Sequence, residues 1–183
     1  MKLCFRPRRA KVVQILPSSP FHLSTASSNR LTVVESKVSA IENVAVDLQV
    51  GAKQFADRCA VCHKLGEQGK VLGPQLEGVG ARGVQRLCED ILWPDRNVDE
   101  AFKMTIMVLD GGESVSGLVS DRTAESLLLT DQTGKQRRIL LSDIEQEKLS
   151  KLSLMPGNFD ELMTDSELAS LIGYLRNTVN AAQ

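Results

Sequence analysis

Aromatic side chains are scarce in this chain: five Phe, one Trp and one Tyr among 183 residues. Large flat apolar groups usually fill much of a core, so aliphatic side chains or a bound apolar group must supply that surface here. No apolar run approaches the length of a bilayer-crossing helix, which argues against an integral membrane segment. No internal repeat is present. The net charge is only −1, but it is unevenly spread. Residues 1–45 hold seven Lys/Arg against Glu35 and Glu42, while the rest holds 15 basic against 21 acidic residues. The basic arm has neither a helical stripe of charge nor interleaved aromatics, so nucleic acid is not an expected partner. The acidic body favours a basic partner. At this length one or two domains with a real core are expected.

Against that sparse background, Cys59-Ala60-Val61-Cys62-His63 stands out. Two thiols three positions apart, followed directly by an imidazole, have the spacing that attaches a c-type haem. The thiols add across the two vinyl groups on one porphyrin edge, and the next side chain then falls under the iron. Neutral imidazole is a good ligand for that iron. A haem would also supply the flat apolar surface that the composition lacks. Two other readings compete. A structural zinc site needs four ligands, and the remaining candidates, Cys4, His22 and Cys88, are isolated and widely spread. A thioredoxin-like pair would follow a strand and open a helix, whereas this pair follows a predicted helix, Asp47 to Arg58, with no βαβ pattern.

Residues 1–45 contain Pro17, Ser18, Ser19, Pro20 and a Ser/Thr cluster from Ser24 to Ser28. They read as a disordered or linker-like extension. Asp47 is placed to cap the first helix of a body spanning 46–183. Val84, Leu87, Cys88, Ile91 and Leu92 recur with helical period and stop at Pro94. On that stripe Cys88 reads as a buried inert thiol. From about 101 to 145 the period changes to short β-rich runs, Lys103–Leu109, Val115–Ser120, Ser126–Thr130 and Gln136–Leu141. That predicts an antiparallel meander of about four strands, inserted into the domain. The last helix has Thr164 and Glu167 as a capping box, Met163 and Leu168 as a hydrophobic staple, and a stripe continuing through Leu171, Ile172, Leu175 and Val179.

A haem needs either a second ligand, for electron transfer, or an open face, for binding and catalysis. Met104 and Met107 lie in a predicted strand, and Met163 serves the helix start. Met155 sits in Ser153-Leu154-Met155-Pro156-Gly157, where Pro156 disfavours the α region for Met155 and Gly157 permits a turn. A thioether can project from such a loop. A loop Met in an ordinary contact is the competing reading.

These segments together resemble a class I cytochrome c domain. Gly51-x-x-x-Phe55, C-A-V-C-H, Gly73-Pro74-x-Leu76, Ser153-Leu154-Met155-Pro156 and Leu171-Ile172-Gly173-Tyr174-Leu175 carry the resemblance. More narrowly, the chain is similar to the haem-binding domain of planctomycete and verrucomicrobial proteins. There a small β insertion separates a segment like Ile91-Leu92-Trp93-Pro94-Asp95-Arg96 from the S-L-M-P loop. The similarity runs from about Val50 to Asn177. It implies a mainly α, cytochrome c-like helical fold around one covalent haem c, with a small antiparallel β insertion. Cys59 and Cys62 would carry the thioethers, His63 the proximal bond to iron and Met155 the distal one. Pro74 O would accept from His63 Nδ1. Gly51 and Phe55 would pack against Gly173 and Tyr174.

The implied function is single-electron transfer with redox proteins, with electrons accepted from a dehydrogenase, and no catalytic side chain. Two alternatives stay open at this stage: a haem-based sensor or small peroxidase with an open distal face, and a binding module centred on the β insertion. Haem attachment of this kind implies a periplasmic or otherwise exported protein. Lys2, Arg6, Arg8, Arg9 and Lys11 resemble the charged start of a signal peptide, but the apolar run Val12–Leu16 stops at Pro17. Either the signal is weak or the chain is a tail; the resemblance implies the latter, an electron-accepting tail of a longer exported polypeptide or a descendant of one.

Overall fold

The computed structural model describes residues 22–177. The signal-like residues, Cys4, Val179 and Asn180 lie outside the described residues. Helix accounts for 42% and strand for 24% of the structure, so the expected mainly α chain is instead a helical core sharing the chain with a substantial sheet.

Asp47 caps α2 (Leu48–Gln54), its carboxylate accepting from Gln49 N at 2.8 Å and Val50 N at 3.2 Å. Its own backbone N–H donates to Ser170 Oγ of α5 (Asp165–Asn177) at 3.1 Å, so the cap also ties the two helices. They cross at very close range. A β-carbon on Gly51 would lie 2.1 Å from Ser170 O, and one on Gly173 would lie 2.3 Å from Val46 Cγ1. Phe55 is fully buried and stacks at a tilt on Tyr174, with ring centroids 5.9 Å apart. Of the packing implied by the resemblance, Gly51 and Phe55 do meet Tyr174, whereas Gly173 meets Val46.

The start of α5 follows its sequence signals. Thr164 N–H donates to Glu167 Oε2 at 2.9 Å, and Glu167 N–H returns to Thr164 Oγ1 at 3.2 Å. Met163 and Leu168 are both buried beside it. Helix α3 (Gly83–Leu92) buries Leu87, Cys88, Ile91 and Leu92 in the same core and ends at Trp93, before Pro94. The short α4 (Phe159–Leu162) leads from the Met155 loop into α5.

The linker-like reading of residues 1–45 is corrected over its second half. His22–Ile41 form helix α1, with Val34 and Ile41 buried and Val38 packed against the core of α3 and α5. Lys37 Nζ pairs with Asp165 Oδ1 at 2.5 Å. Val34, Val38 and Ile41 recur at i, i+4 and i+7, a one-sided stripe set among Ser and Thr. Tertiary burial, not intrinsic propensity, accounts for the helix.

The insertion is also larger than about 101–145. Five antiparallel strands, β1 (Lys103–Leu109), β2 (Ser114–Ser120), β3 (Ser126–Thr130), β4 (Gln136–Leu140) and β5 (Ile144–Ser153), form a sheet in the order β4-β3-β2-β1-β5. The first four make the expected meander. The fifth returns across the sheet to pair with β1 and runs to Ser153. The sheet has a core of its own, with Met107, Leu109, Leu127, Leu129 and Ile139. Gly111 and Gly112, at φ of 89° and 85°, make the β1–β2 turn that L side chains would strain. The paired residues Leu118, Thr130 and Gln136 face Val61, Lys70 and Leu72 across a cleft of about 250 Å³. The sheet therefore lies beside the loop that follows the C-x-x-C-H motif.

The α2/α5 crossing yields a direct expectation. Gly51→Ala should lower stability by about 2 kcal/mol, because its new methyl group meets backbone and not a yielding side chain. Chemical denaturation of the two proteins measures this.

Candidate functional site

The motif begins on a single π-helical turn, Phe55–Cys59, which continues α2. Such wide turns recur at functional sites. Ala60 N–H donates back five residues to Phe55 O at 2.9 Å, and His63 N–H donates to Cys59 O at 2.9 Å. Buried Phe55 anchors one end of this turn. The two sulfurs follow at the other end, half-buried and free of any disulfide.

The chain after His63 folds back over the motif through backbone bonds. Lys70 N–H donates to Ala60 O at 3.1 Å, and Gly73 N–H to Cys62 O at 2.7 Å. Gly69 makes this possible at φ 89°, where a β-carbon would sit 2.0 Å from His63 O. The loop then places Pro74 O 2.7 Å from His63 Nδ1. A proline carbonyl can only accept, so Nδ1 carries the proton and Nε2 is the nitrogen left to bind a metal. Gly73 lies against the ring itself: a β-carbon there would be 2.9 Å from His63 Cε1. Reading the sequence singled out Gly73-Pro74 but missed this packing; the glycine preceding the acceptor proline was its only trace.

Electrostatics favour ligation over redox exchange. Burial lowers the His63 pKa, with the Pro74 bond opposing, so the imidazole is neutral and ligand-competent at pH 7. Burial also pushes the Cys59 thiol up to about 11 against the pull of Arg58, and raises Cys62 against the pull of Lys70. A dithiol enzyme needs the opposite shift, toward thiolate. Cys88 is fully buried on α3, the inert position expected of it, and its thiol is likewise raised to about 11. Among the described residues no group of three or more His, Cys, Asp or Glu side chains suited to a metal ion is assembled.

The methionines divide clearly. Met107 is sealed in the sheet core and Met163 in the helical core. Met104 lies half-buried in β1. Met155 is half-buried in the loop after β5 and packs on the same helical core as Cys59, Ala60, Leu76 and Val79. Its N–H donates to Ser153 Oγ at 3.1 Å, and Ser153 N–H donates to Asp95 Oδ1 at 2.6 Å. Asp95 and Ser153 were not expected to be linked. Free thiols, a neutral imidazole with Nε2 unengaged by the Pro74 bond, and a rim of half-buried apolar side chains fit a covalently held haem.

Residues 48–91 match the family model described as Cytochrome c. The matched stretch runs from α2 to α3 and contains Cys59, Cys62, His63 and Pro74; the sheet, Met155 and α5 lie beyond it. The match supports a cytochrome c domain. No curated protein matches the chain.

Gly73→Ala should displace the imidazole and weaken its bond to Pro74, at a cost of about 1 kcal/mol. Proton NMR should show a protected His63 Nδ1 proton in the parent protein and its faster exchange in the variant.

Proposed function

We propose that this chain carries one covalently attached haem c, with His63 and Met155 as axial ligands, and transfers single electrons between redox proteins. The observation that carries this reading is the geometry of the motif: Cys59 and Cys62 free, and His63 held through Nδ1 by Pro74 O at 2.7 Å. When bound, the haem iron supplies a one-electron ferric/ferrous couple.

The chain's own residues hold and tune that group. Cys59 and Cys62 tether its edge. Pro74 fixes the His63 tautomer and raises its basicity as a ligand. Met155, as a thioether, favours the reduced state relative to a second imidazole. Cys59, Ala60, Leu76, Val79 and Met155, half-buried against the core of α2, α3 and α5, would supply the apolar surroundings of the haem. On this reading the chain serves as an electron-transfer domain, not in itself an enzyme, with no side chain called on for acid–base chemistry. Its acidic body suits a basic partner, and a dehydrogenase, in the same polypeptide or a separate one, is the proposed electron donor. Thioether attachment, as proposed, would call for the periplasm or another exported compartment. The architecture, a haem domain with a β insertion before an S-L-M-P loop, is proposed to be of the planctomycete and verrucomicrobial type.

Protein exported alongside a haem-attachment system should keep its haem through acid–acetone extraction, and replacement of Cys59 and Cys62 by Ala should abolish that retention. Freely extracted haem from the parent protein contradicts the reading. Oxidised protein should show the far-red sulfur-to-iron band, which Met155→Ala should remove while leaving haem attached. The reduced parent protein should resist carbon monoxide, whereas rapid binding indicates an open distal face.

A further inference from the structure

Two segments 58 positions apart meet just before Met155. One is the turn after α3. Trp93 N–H donates to Glu89 O at 2.8 Å, and Arg96 N–H to Trp93 O at 3.1 Å. The Arg96 guanidinium lies over the Trp93 ring at 5.1 Å and pairs with Glu89 at 2.8 Å. The turn is thereby fastened to a buried helix, and Asp95 stands on it. The other segment is the end of β5. Between the pairs Lys103↔Ser153 and Thr105↔Leu149, β1 advances two residues while β5 advances four. That bulge bends the strand out of its ladder, as bulges do where a chain must be re-aimed. Leu152 N–H is taken by Ser150 Oγ at 3.0 Å, and Ser153 N–H is directed at Asp95.

We propose that Asp95 is a positioning residue for Met155, acting through Ser153; this rests on the reading of Met155 as an iron ligand. The Asp95 carboxylate accepts Ser153 N–H at 2.6 Å, and Ser153 Oγ accepts Met155 N–H at 3.1 Å. A bond to a charged acceptor is stronger than a neutral one. Pro156 offers no N–H, and Gly157 lies against Pro94 of the same turn, where an added β-carbon would touch Pro94 Cδ at 3.7 Å. The α3 turn thus holds the loop through Asp95 before the thioether and runs close beside it at Gly157. A soft ligand on a loop stays in place only as firmly as the loop does, so the relay sets how readily Met155 is displaced.

The test uses the full chain carrying haem, and compares Asp95→Ala, Asp95→Asn, Ser153→Ala and Leu127→Ala with the parent. Two readouts are followed: the pH at which half of the far-red band is lost, and amide hydrogen exchange over residues 153–157. Asp95→Ala should raise the loop-opening equilibrium about ten-fold, speeding exchange at the Met155 amide and lowering the midpoint by about one pH unit for a one-proton displacement. Asp95→Asn, which keeps an acceptor without charge, should recover part of the shift, and Ser153→Ala should give a smaller one. Leu127→Ala lowers stability in the sheet core, away from this loop, and should leave the midpoint at the parent value. Equal shifts in Leu127→Ala and Asp95→Ala overturn the proposal, as does a parent-like midpoint and exchange rate in Asp95→Ala. If Met155→Ala retains the far-red band, the ligation reading is the one that fails.

Discussion

Backbone-to-backbone approach of α2 and α5 is the constraint on which the rest of the helical structure depends. Gly51 of α2 faces the Ser170 carbonyl, and Gly173 faces the side chain of Val46 just before α2, with no space for a β-carbon at either point. Close packing of this kind leaves little freedom in crossing angle. It fixes where Phe55 is buried, and Phe55 starts the π turn that delivers Cys59, Cys62 and His63. It also anchors α5, on which α1 and α3 pack. Asp47 joins the same contact from a different direction, capping α2 with its carboxylate while giving its N–H to α5.

The loop that secures His63 works by a different principle. Few of its side chains are buried, and its order comes from backbone bonds to Ala60 and Cys62. Two glycines allow the approach, Gly69 against the His63 carbonyl and Gly73 against the ring. Around the imidazole, therefore, order derives from hydrogen bonds and missing side chains more than from apolar packing. That arrangement leaves the apolar rim free to face a large planar ligand.

Features encoded by local chemistry were legible in the sequence. The C-x-x-C-H spacing, the Asp47 cap, the Thr164/Glu167 box and the α3 stripe each depend on residues within a turn or two of one another. What escaped notice depends on distant partners. Helix α1 lies in Ser/Thr-rich sequence and is a helix because Val34, Val38 and Ile41 find the core. Strand β5 reads Ile-Glu-Gln-Glu-Lys-Leu-Ser-Lys-Leu-Ser, a charged sequence with poor β character, and is a strand because β1 offers an unpaired edge. The Asp95–Ser153 bond joins two segments that nothing local connects. For the site, the proposed ligand residues were singled out by their chemistry, while the groups beside them, Gly73 at His63 and Asp95 at Ser153, were visible only in three dimensions.

The pairing of β1 with β5 has a consequence for chain entropy. Lys103 and Ser153 are neighbours across the ladder, so the excursion leaves and re-enters the helical body at nearly one point. Closing a loop costs only about 0.6 kcal/mol per doubling of its length even when the loop is floppy. Here the two ends are zipped together by the sheet itself, which folds around its own core. To the helical body, the whole insertion behaves as a short connection. The long interval between His63 and Met155 therefore adds little to the cost of bringing them into one fold. The strands could lengthen or shorten in step, as paired strands do, and the helical body would register only where the outermost pair sits.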